Sequence, residues 1–345
     1  MNRIKLLGYD KLGDDGSEGI RYAWSMGQSK YLLESAAFIN KTKGVVSDIS
    51  GYTTSVGLGC VLRHFKCQCT FCRTGNLMPF VNLLSAQEIA KQNILMVLTD
   101  LNCSDHQELI NNKREFAYMG QGEPGYSYTQ LRLAIKITDI VMKRLKQSVY
   151  RHIIATSGII EMLYALQADL QSNYFDSRTT LHFSLHATSK REQIMPINKI
   201  YPYKLVIKEL EKISKISKEK VCLGVLLFNK FKAKNVDFEH TTNMEDFDEI
   251  FSIVDKEYFR FSFCEYNTSL DIATSEDISL HRANEICEFV KSKGYEMKYF
   301  SSFGKKENTA CGTLAGKKPT YKVPEKWSQL EKYADELIMA ALAQI

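Results

Sequence analysis

The chain has 345 residues, 44% of them hydrophobic and 25% charged, with a net charge of +5. That is ordinary for a soluble globular protein, long enough for two average domains or one α/β barrel with extensions, and too weakly basic to identify a nucleic-acid partner. No run of about 18 apolar residues offers a membrane span, and the opening MNRIKLLGYDKLGDDG lacks an export core, so a cytoplasmic protein is expected.

In chain order, IRYAWSM and YLLESAAFI read as two strands of a small β lead-in over residues 1–50. From about residue 52 short apolar runs alternate with helix-like stretches. The runs are TTSVGLG, EFAYMG, HIIATS, LHFSLHA, VCLGVLLF and FRFSFCEY. The stretches between them include SAQEIAKQNILMVLTD, YTQLRLAIKITDIVMKRLKQ, YKLVIKELEKISK, NMEDFDEIFSIVDKE and SEDISLHRANEICEFVKSKG. Ser85 with Glu88, and Thr274 with Asp277, have the spacing of capping boxes. Six strand–helix units predict an α/β fold, a partial (β/α)6 barrel over residues 51–300, with its chemistry at the C-terminal strand ends. EMKYFSS then leads into residues 301–345, a loop GKKENTACGTLAGKKPTY and a terminal helix EKWSQLEKYADELIMAALAQI.

Nine cysteines without an export signal suggest metal or redox chemistry rather than disulfides. Four of them lie in GCVLRHFKCQCTFCRTG: Cys60, Cys67, Cys69 and Cys72. Cys69-x-x-Cys72 supplies two thiolates in a turn after a strand, and Cys60 or Cys67 supplies a third. Three thiolates on a 4Fe–4S cluster leave one iron open. The competing reading is a zinc site with His64 as fourth ligand.

Further motifs stand at successive strand ends: Met119-Gly120-Gln121-Gly122-Glu123-Pro124, Ala155-Thr156-Ser157-Gly158, Ser184-Leu185-His186-Ala187 with Met195-Pro196-Ile197-Asn198-Lys199, and Ala310-Cys311-Gly312-Thr313-Leu314-Ala315-Gly316. In this order they resemble the radical S-adenosylmethionine (SAM) enzymes of the RlmN/Cfr family, which methylate adenine in RNA; the resemblance covers roughly residues 19–316. Gly120 and Gly122 let the backbone approach a ligand, and Glu123 can accept a hydrogen bond from an ammonium group. The resemblance implies that Gly122 and Glu123 hold the amino group of SAM, and that Ser157, Ser184, Leu185 and His186 surround its ribose and carboxylate. Asn267 would be a further SAM contact.

The resemblance also implies that Cys311 carries a methyl group. Its thiolate takes the methyl from one SAM; a radical made from a second SAM then activates it for attack on carbon 2 or carbon 8 of adenine. Lys305 and Lys306 would favour that thiolate and could meet phosphate. Glu34 falls at a family glutamate proposed as proton acceptor, against which stands an exposed strand glutamate. The cofactors implied are the 4Fe–4S cluster and SAM. The partners implied are an RNA substrate (rRNA or tRNA) and a reducing protein as electron donor.

The chain departs from the family in three places. The family spacing C-x3-C-x2-C has no match. Cys60, Cys69 and Cys72 are preferred as ligands, because two thiolates one residue apart leave little chain to wrap a cubane corner; Cys67 in place of Cys60 is the alternative. With Cys60 as ligand the family's resolving-cysteine position falls on Thr53, and Cys67 could substitute. About twenty residues precede the first expected strand, so the family's helical RNA-binding domain is expected to be missing. Ala155 replaces a family serine. Two other functions stay open: a radical SAM enzyme of the same fold acting on a non-RNA substrate, and a zinc-stabilised RNA-binding module.

Overall fold

The computed structural model describes residues 3–13, 19–42, 45–102, 112–233, 236–240, 244–266, 271–277, 279–300 and 314–345. Among these residues thirteen strands form one sheet. Its first part is antiparallel: β1 (Ile4–Leu12), β2 (Gly19–Met26), β3 (Leu33–Thr42) and β4 (Val45–Thr53) pair in sequence. The two strands expected for the lead-in are therefore joined by two more, and strand structure starts at Ile4. β1 alternates buried and accessible residues along IKLLGYDKL, the period-two pattern of a half-buried strand.

β4 ends the antiparallel part and begins the parallel one. It pairs parallel with β5 (Lys113–Tyr118), followed by β6 (Val149–Thr156), β7 (Thr179–Ser184), β8 (Val221–Ala233), β10 (Phe259–Glu265) and β12 (Met297–Phe300). The partial (β/α)6 arrangement is present, but its first strand is β4, which ends at Thr53, so that TTSVGLG, expected to be that strand, mostly follows it. EMKYFSS, read as a lead-out, contributes a seventh parallel strand, its Met297 opposite Phe261. The far end of β8 leaves the parallel register and pairs antiparallel with β9 (Val236–His240) and β11 (Ala273–Asp277).

Six helices fall where periodicity places them: α1 (Ala86–Leu101), α2 (Tyr128–Arg144), α4 (Tyr203–Ser217), α5 (Met244–Ile253), α6 (Leu280–Ser292) and, after the two-residue β13 (Tyr321–Lys322), α7 (Glu325–Leu342). α3 (Ile160–Gln171), between β6 and β7, is a further helix that the sequence reading did not place. The Ser85–Glu88 capping box forms in both directions. The Thr274–Asp277 box does not. Those residues pair with β8, and α6 starts later, where the Ser279 side chain accepts a bond from the Arg282 amide. No helix among the described residues is long and apolar enough to cross a membrane.

α1 is buried on nearly every face, because α7 covers the side turned from the sheet. Its polar side chains pair inside. Lys91 meets Glu331 and Asp335, each at 3.0 Å, while Gln92 bonds both the amide and the carbonyl of Ser55 at 3.1 Å. Gln92 thereby fixes the chain just after β4, where the cysteine loop begins.

Candidate functional site

The cysteine loop runs from β4 to α1. Gly57–Leu58 pairs with Asn82–Leu83 and pinches its base. Gly59 has φ +75, and a Cβ there would stand 2.1 Å from the Pro79 carbonyl oxygen, so only glycine lets the two arms pass. Asn76 knits the turn by donating its side-chain amide to the carbonyls of Cys69 (2.9 Å), Thr70 (3.3 Å) and Cys72 (2.8 Å). Two further contacts fix the turn against later strand ends. The Thr70 amide donates to the Ile194 carbonyl at 2.9 Å, and Tyr266 Oη donates to the Phe71 carbonyl at 3.2 Å.

Cys60, Cys69 and Cys72 are brought within electrostatic reach of one another. Burial, and then the charge of Cys72, push the Cys60 thiol up; burial, then Cys72 and Cys60, push Cys69 well up; burial also raises Cys72. Cys67 gives Cys60 its weakest push, and its thiol turns back toward the Leu62 carbonyl at 3.5 Å. His64 is exposed and packs on the rings of Phe65 and Phe80.

Among the described residues no group of three or more His, Cys, Asp or Glu is gathered as a metal-ion site. A single ion needs its donors about 2.0–2.3 Å from one point, whereas a four-iron cube spreads its thiolates over separate corners. Burial raises all three thiols, and two of them are raised further by their neighbours. The chemistry of this donor set fits a cluster, since coordination deprotonates a thiol outright.

Glu123, 5% exposed, follows β5. Its Oε1 accepts from Thr156 Oγ1 (2.5 Å) and the Gly125 amide (2.9 Å), and its Oε2 from the Ser157 amide (3.0 Å) and hydroxyl (2.7 Å). Four donors occupy the carboxylate's lone pairs. Ser157 is thus engaged with Glu123, and an incoming ammonium group would displace one of these donors. The charge of Glu123 also raises Cys60, Cys67 and Cys69, which places it beside the cysteine loop. Gly122 has φ +102, where a side chain would be strained. A Cβ there would also lie 2.9 Å from the Gly57 amide, so the glycine lets the chain after β4 pass close.

Ser184 ends β7. Leu185 is fully buried, and its carbonyl accepts from Arg191. His186 holds φ +59, a region that non-glycine residues enter at a cost, and its Nδ1 accepts from the Leu226 amide at 3.3 Å. Burial, then Arg191 and His182, hold it well below the ordinary imidazole range, so it is neutral. Its ring meets Phe71, inside the Cys69–Cys72 turn, edge-on at 5.0 Å.

Sequence reasoning missed Arg191. This fully buried guanidinium donates to the carbonyls of Ser184 (2.6 Å), Leu185 and Ser157 (3.3 Å) and to Asn198 Oδ1 (3.1 Å), tying two strand ends together. Burial pushes it down to about 9, and the neighbouring Cys69 opposes that. The adjacent MPIN motif, which supplies Asn198, was the available signal. Tyr266, also missed, immediately precedes the singled-out Asn267.

Glu34 is only 1% exposed, so the exposed-strand alternative is wrong. It pairs with Arg21 and accepts from Gln121 Nε2 (3.2 Å) and the Gly316 amide (2.7 Å). The chain after the ACG loop returns to the same rim, where Thr74 Oγ1 donates to the Leu314 carbonyl. Asn267, Lys305, Lys306 and Cys311 lie outside the described residues.

No protein-family model matches the chain. Among curated proteins, the probable dual-specificity RNA methyltransferase RlmN of Petrotoga mobilis is 31% identical over 216 residues, 61% of this chain and 56% of its own length. The same-named protein of Fervidobacterium nodosum is 33% identical over 177 residues, 50% of this chain and 46% of its own. The chain thus spans about half the length of these relatives. A solved radical SAM methyltransferase from Sphaerobacter thermophilus shares the fold, with TM-score 0.73 over 92% of this chain and 82% of that one at 18% identity. The chain is thus similar in sequence to RNA methyltransferases named RlmN, and similar in fold to a radical SAM methyltransferase.

Proposed function

We propose that this chain is a radical SAM methyltransferase that places a methyl group on an adenine carbon, carbon 2 or carbon 8, of RNA, using Cys311 as methyl carrier. The reading rests on one placement: Cys60, Cys69 and Cys72 share a rim with Glu123, and the chain that follows Cys311 returns to that rim at Leu314. The RlmN relatives support RNA as the substrate class.

Cys60, Cys69 and Cys72 would hold a 4Fe–4S cluster, which together with SAM supplies reductive cleavage and a carbon radical. Glu123, Ser157, Ser184, the Leu185 backbone and His186 form the rim on which SAM would be bound, with Gly122 and Asn267 assigned there by the resemblance. Arg191 keeps that rim rigid through its carbonyl contacts. Neutral His186 can offer a hydrogen bond without adding charge beside the thiolates. The Cys311 thiolate would act as nucleophile toward a SAM methyl, and Cys67, buried at the edge of the trio, would resolve a protein–RNA adduct in place of Thr53. A reducing protein would deliver the electron in the cytoplasm, and rRNA or tRNA would be the substrate.

The test is peptide mass measurement on protein purified with SAM, in a preparation that cleaves SAM. A methyl group on the Cys311 peptide, and methyladenosine in RNA hydrolysed after reaction, are expected. An unmodified Cys311 in an active preparation removes the carrier role.

A further inference from the structure

We infer that Arg21 is a positioning residue, a clamp that binds the chain from Gly316 to Thr320 onto the lead-in sheet and so sets where Leu314 meets Thr74 beside the cysteine loop. Its role in methyl delivery rests on the function proposed above; the clamp itself rests on contacts within the described residues.

Arg21 lies on β2, directly opposite Asp10 of β1 and diagonal to Glu34 of β3. It is 1% exposed. Its guanidinium serves four acceptors at once: the Asp10 carboxylate (Nε to Oδ2, 2.8 Å), the Glu34 carboxylate, and the carbonyls of Lys317 (3.0 Å) and Lys318 (3.4 Å). The two carboxylates it orients then bind the same segment through their other oxygens. Asp10 Oδ1 accepts from the Thr320 amide at 2.8 Å, and Glu34 Oε2 from the Gly316 amide at 2.7 Å. Beyond Thr320, Tyr321 and Lys322 continue as β13 against Tyr9 and Gly8.

The segment is therefore held by its backbone groups, and the register of those contacts is set by one planar fork. Gly316 completes the fit. Its φ is +72, and a Cβ there would come within 3.2 Å of the Leu32 backbone.

Mere attachment does not require this arrangement. Burying a cation between two carboxylates is expensive, and an apolar pin would dock a tail at least as tightly. What the ionic fork adds is a defined position, and the groups it touches explain why position matters. Glu34 also accepts from Gln121, two residues before Glu123, and Leu314 bonds Thr74, two residues after Cys72. The clamp thus joins the tail to both loops that form the candidate site. Glu34, expected as a proton acceptor, is a member of this clamp.

The discriminating variant is Arg21→Lys, which keeps the charge but loses the fork. In the cluster-loaded full chain, amide exchange over residues 314–322 should rise about tenfold or more while α3 stays protected. The amount of 5′-deoxyadenosine released per methyl delivered to RNA should rise about fivefold or more, because SAM cleavage persists while delivery falters. A purely structural role would lower both reactions together and leave that ratio unchanged, which overturns the positioning role. Wild-type exchange in the tail overturns the clamp whatever the chemistry. A loosened tail in a protein whose wild type methylates no RNA keeps the clamp and removes the function proposed above. If Arg21→Lys does not fold, Gly316→Ala puts the same question from the tail side, with the same readouts.

Discussion

The two halves of the parallel sheet bury their helices by different means. From β4 to β7 the buried interface is threaded with hydrogen bonds. Tyr52 donates to Asp100 (2.6 Å) and accepts from Arg114 (2.8 Å), His152 bridges Tyr118 (2.9 Å) and Asp139 (3.0 Å), and Asn93 donates to Tyr118 and Thr138. From β8 to β12 the same interface is a pile of rings. Phe247, Phe251, Phe261, Phe263, Phe289 and Tyr295 make contacts such as Phe251–Tyr295 at 4.8 Å and Phe261–Tyr295 at 5.3 Å. Directional bonds fix where a strand ends, whereas rings fill volume and tolerate small shifts. Cys60, Cys69, Cys72, Glu123 and Ser157 all project from the polar half, where position is most tightly specified.

The contrast can be broken most severely at the loop itself. Cys60→Ala, Cys69→Ala and Cys72→Ala should each lose nearly all iron after anaerobic reconstitution, and Cys67→Ala should keep it. Iron retained by Cys60→Ala and lost by Cys67→Ala reverses the ligand choice. Next in size are substitutions in the two interfaces. Arg114→Met strands the partners of a buried charge and should cost about 3–5 kcal/mol in urea unfolding. Phe247→Ala opens a cavity and should cost about the same.

The conservative variants separate the two halves. Phe247→Leu should recover most of the loss, leaving about 1.5 kcal/mol or less, because volume is what counts there. Arg114→Lys should recover little, because its fork reaches both Tyr52 and Gln147. Equal recovery in both would dissolve the distinction.

The smallest effect is in acid. Burial works against the Asp10 carboxylate, but hydrogen bonds from Thr320 and Arg21 outweigh it and hold the group below its ordinary value. A lowered carboxylate contributes stability above its unfolded pKa and loses it as pH falls through the folded value. Burial instead raises Glu34, against the pull of Arg21, so its ionisation weakens the fold as pH climbs past the ordinary carboxylate value. Asp10→Asn should therefore flatten the loss of melting temperature between about pH 5 and pH 3. An acid limb as steep as wild type would take Asp10 out of the clamp.

Local patterns carried much of the architecture. α1 was legible because Ser85 and Glu88 cap an apolar run, and β5, β6, β7, β8 and β10 because each is a short β-branched or aromatic stretch in the alternation with helices. The same rules misread Thr274–Asp277, since a capping spacing says nothing about β8 waiting opposite, and they left EMKYFSS outside the sheet for want of its partner. The motif residues could be placed at strand ends, but their bonds could not. Glu123 binds Ser157 thirty-four positions on, and Arg191 reaches back as far to the Ser157 carbonyl.

By itself, then, the sequence determined the alternation of strand and helix, the rim where chemistry gathers and the thiols available there, because these depend on neighbours within a few turns of chain. Only the tertiary structure decided that Gly122 is crowded by protein and that Arg21 grips a segment nearly three hundred residues away. Those outcomes depend on which distant groups share a buried space, and a hydrogen bond formed there has no signature in either of the segments that make it.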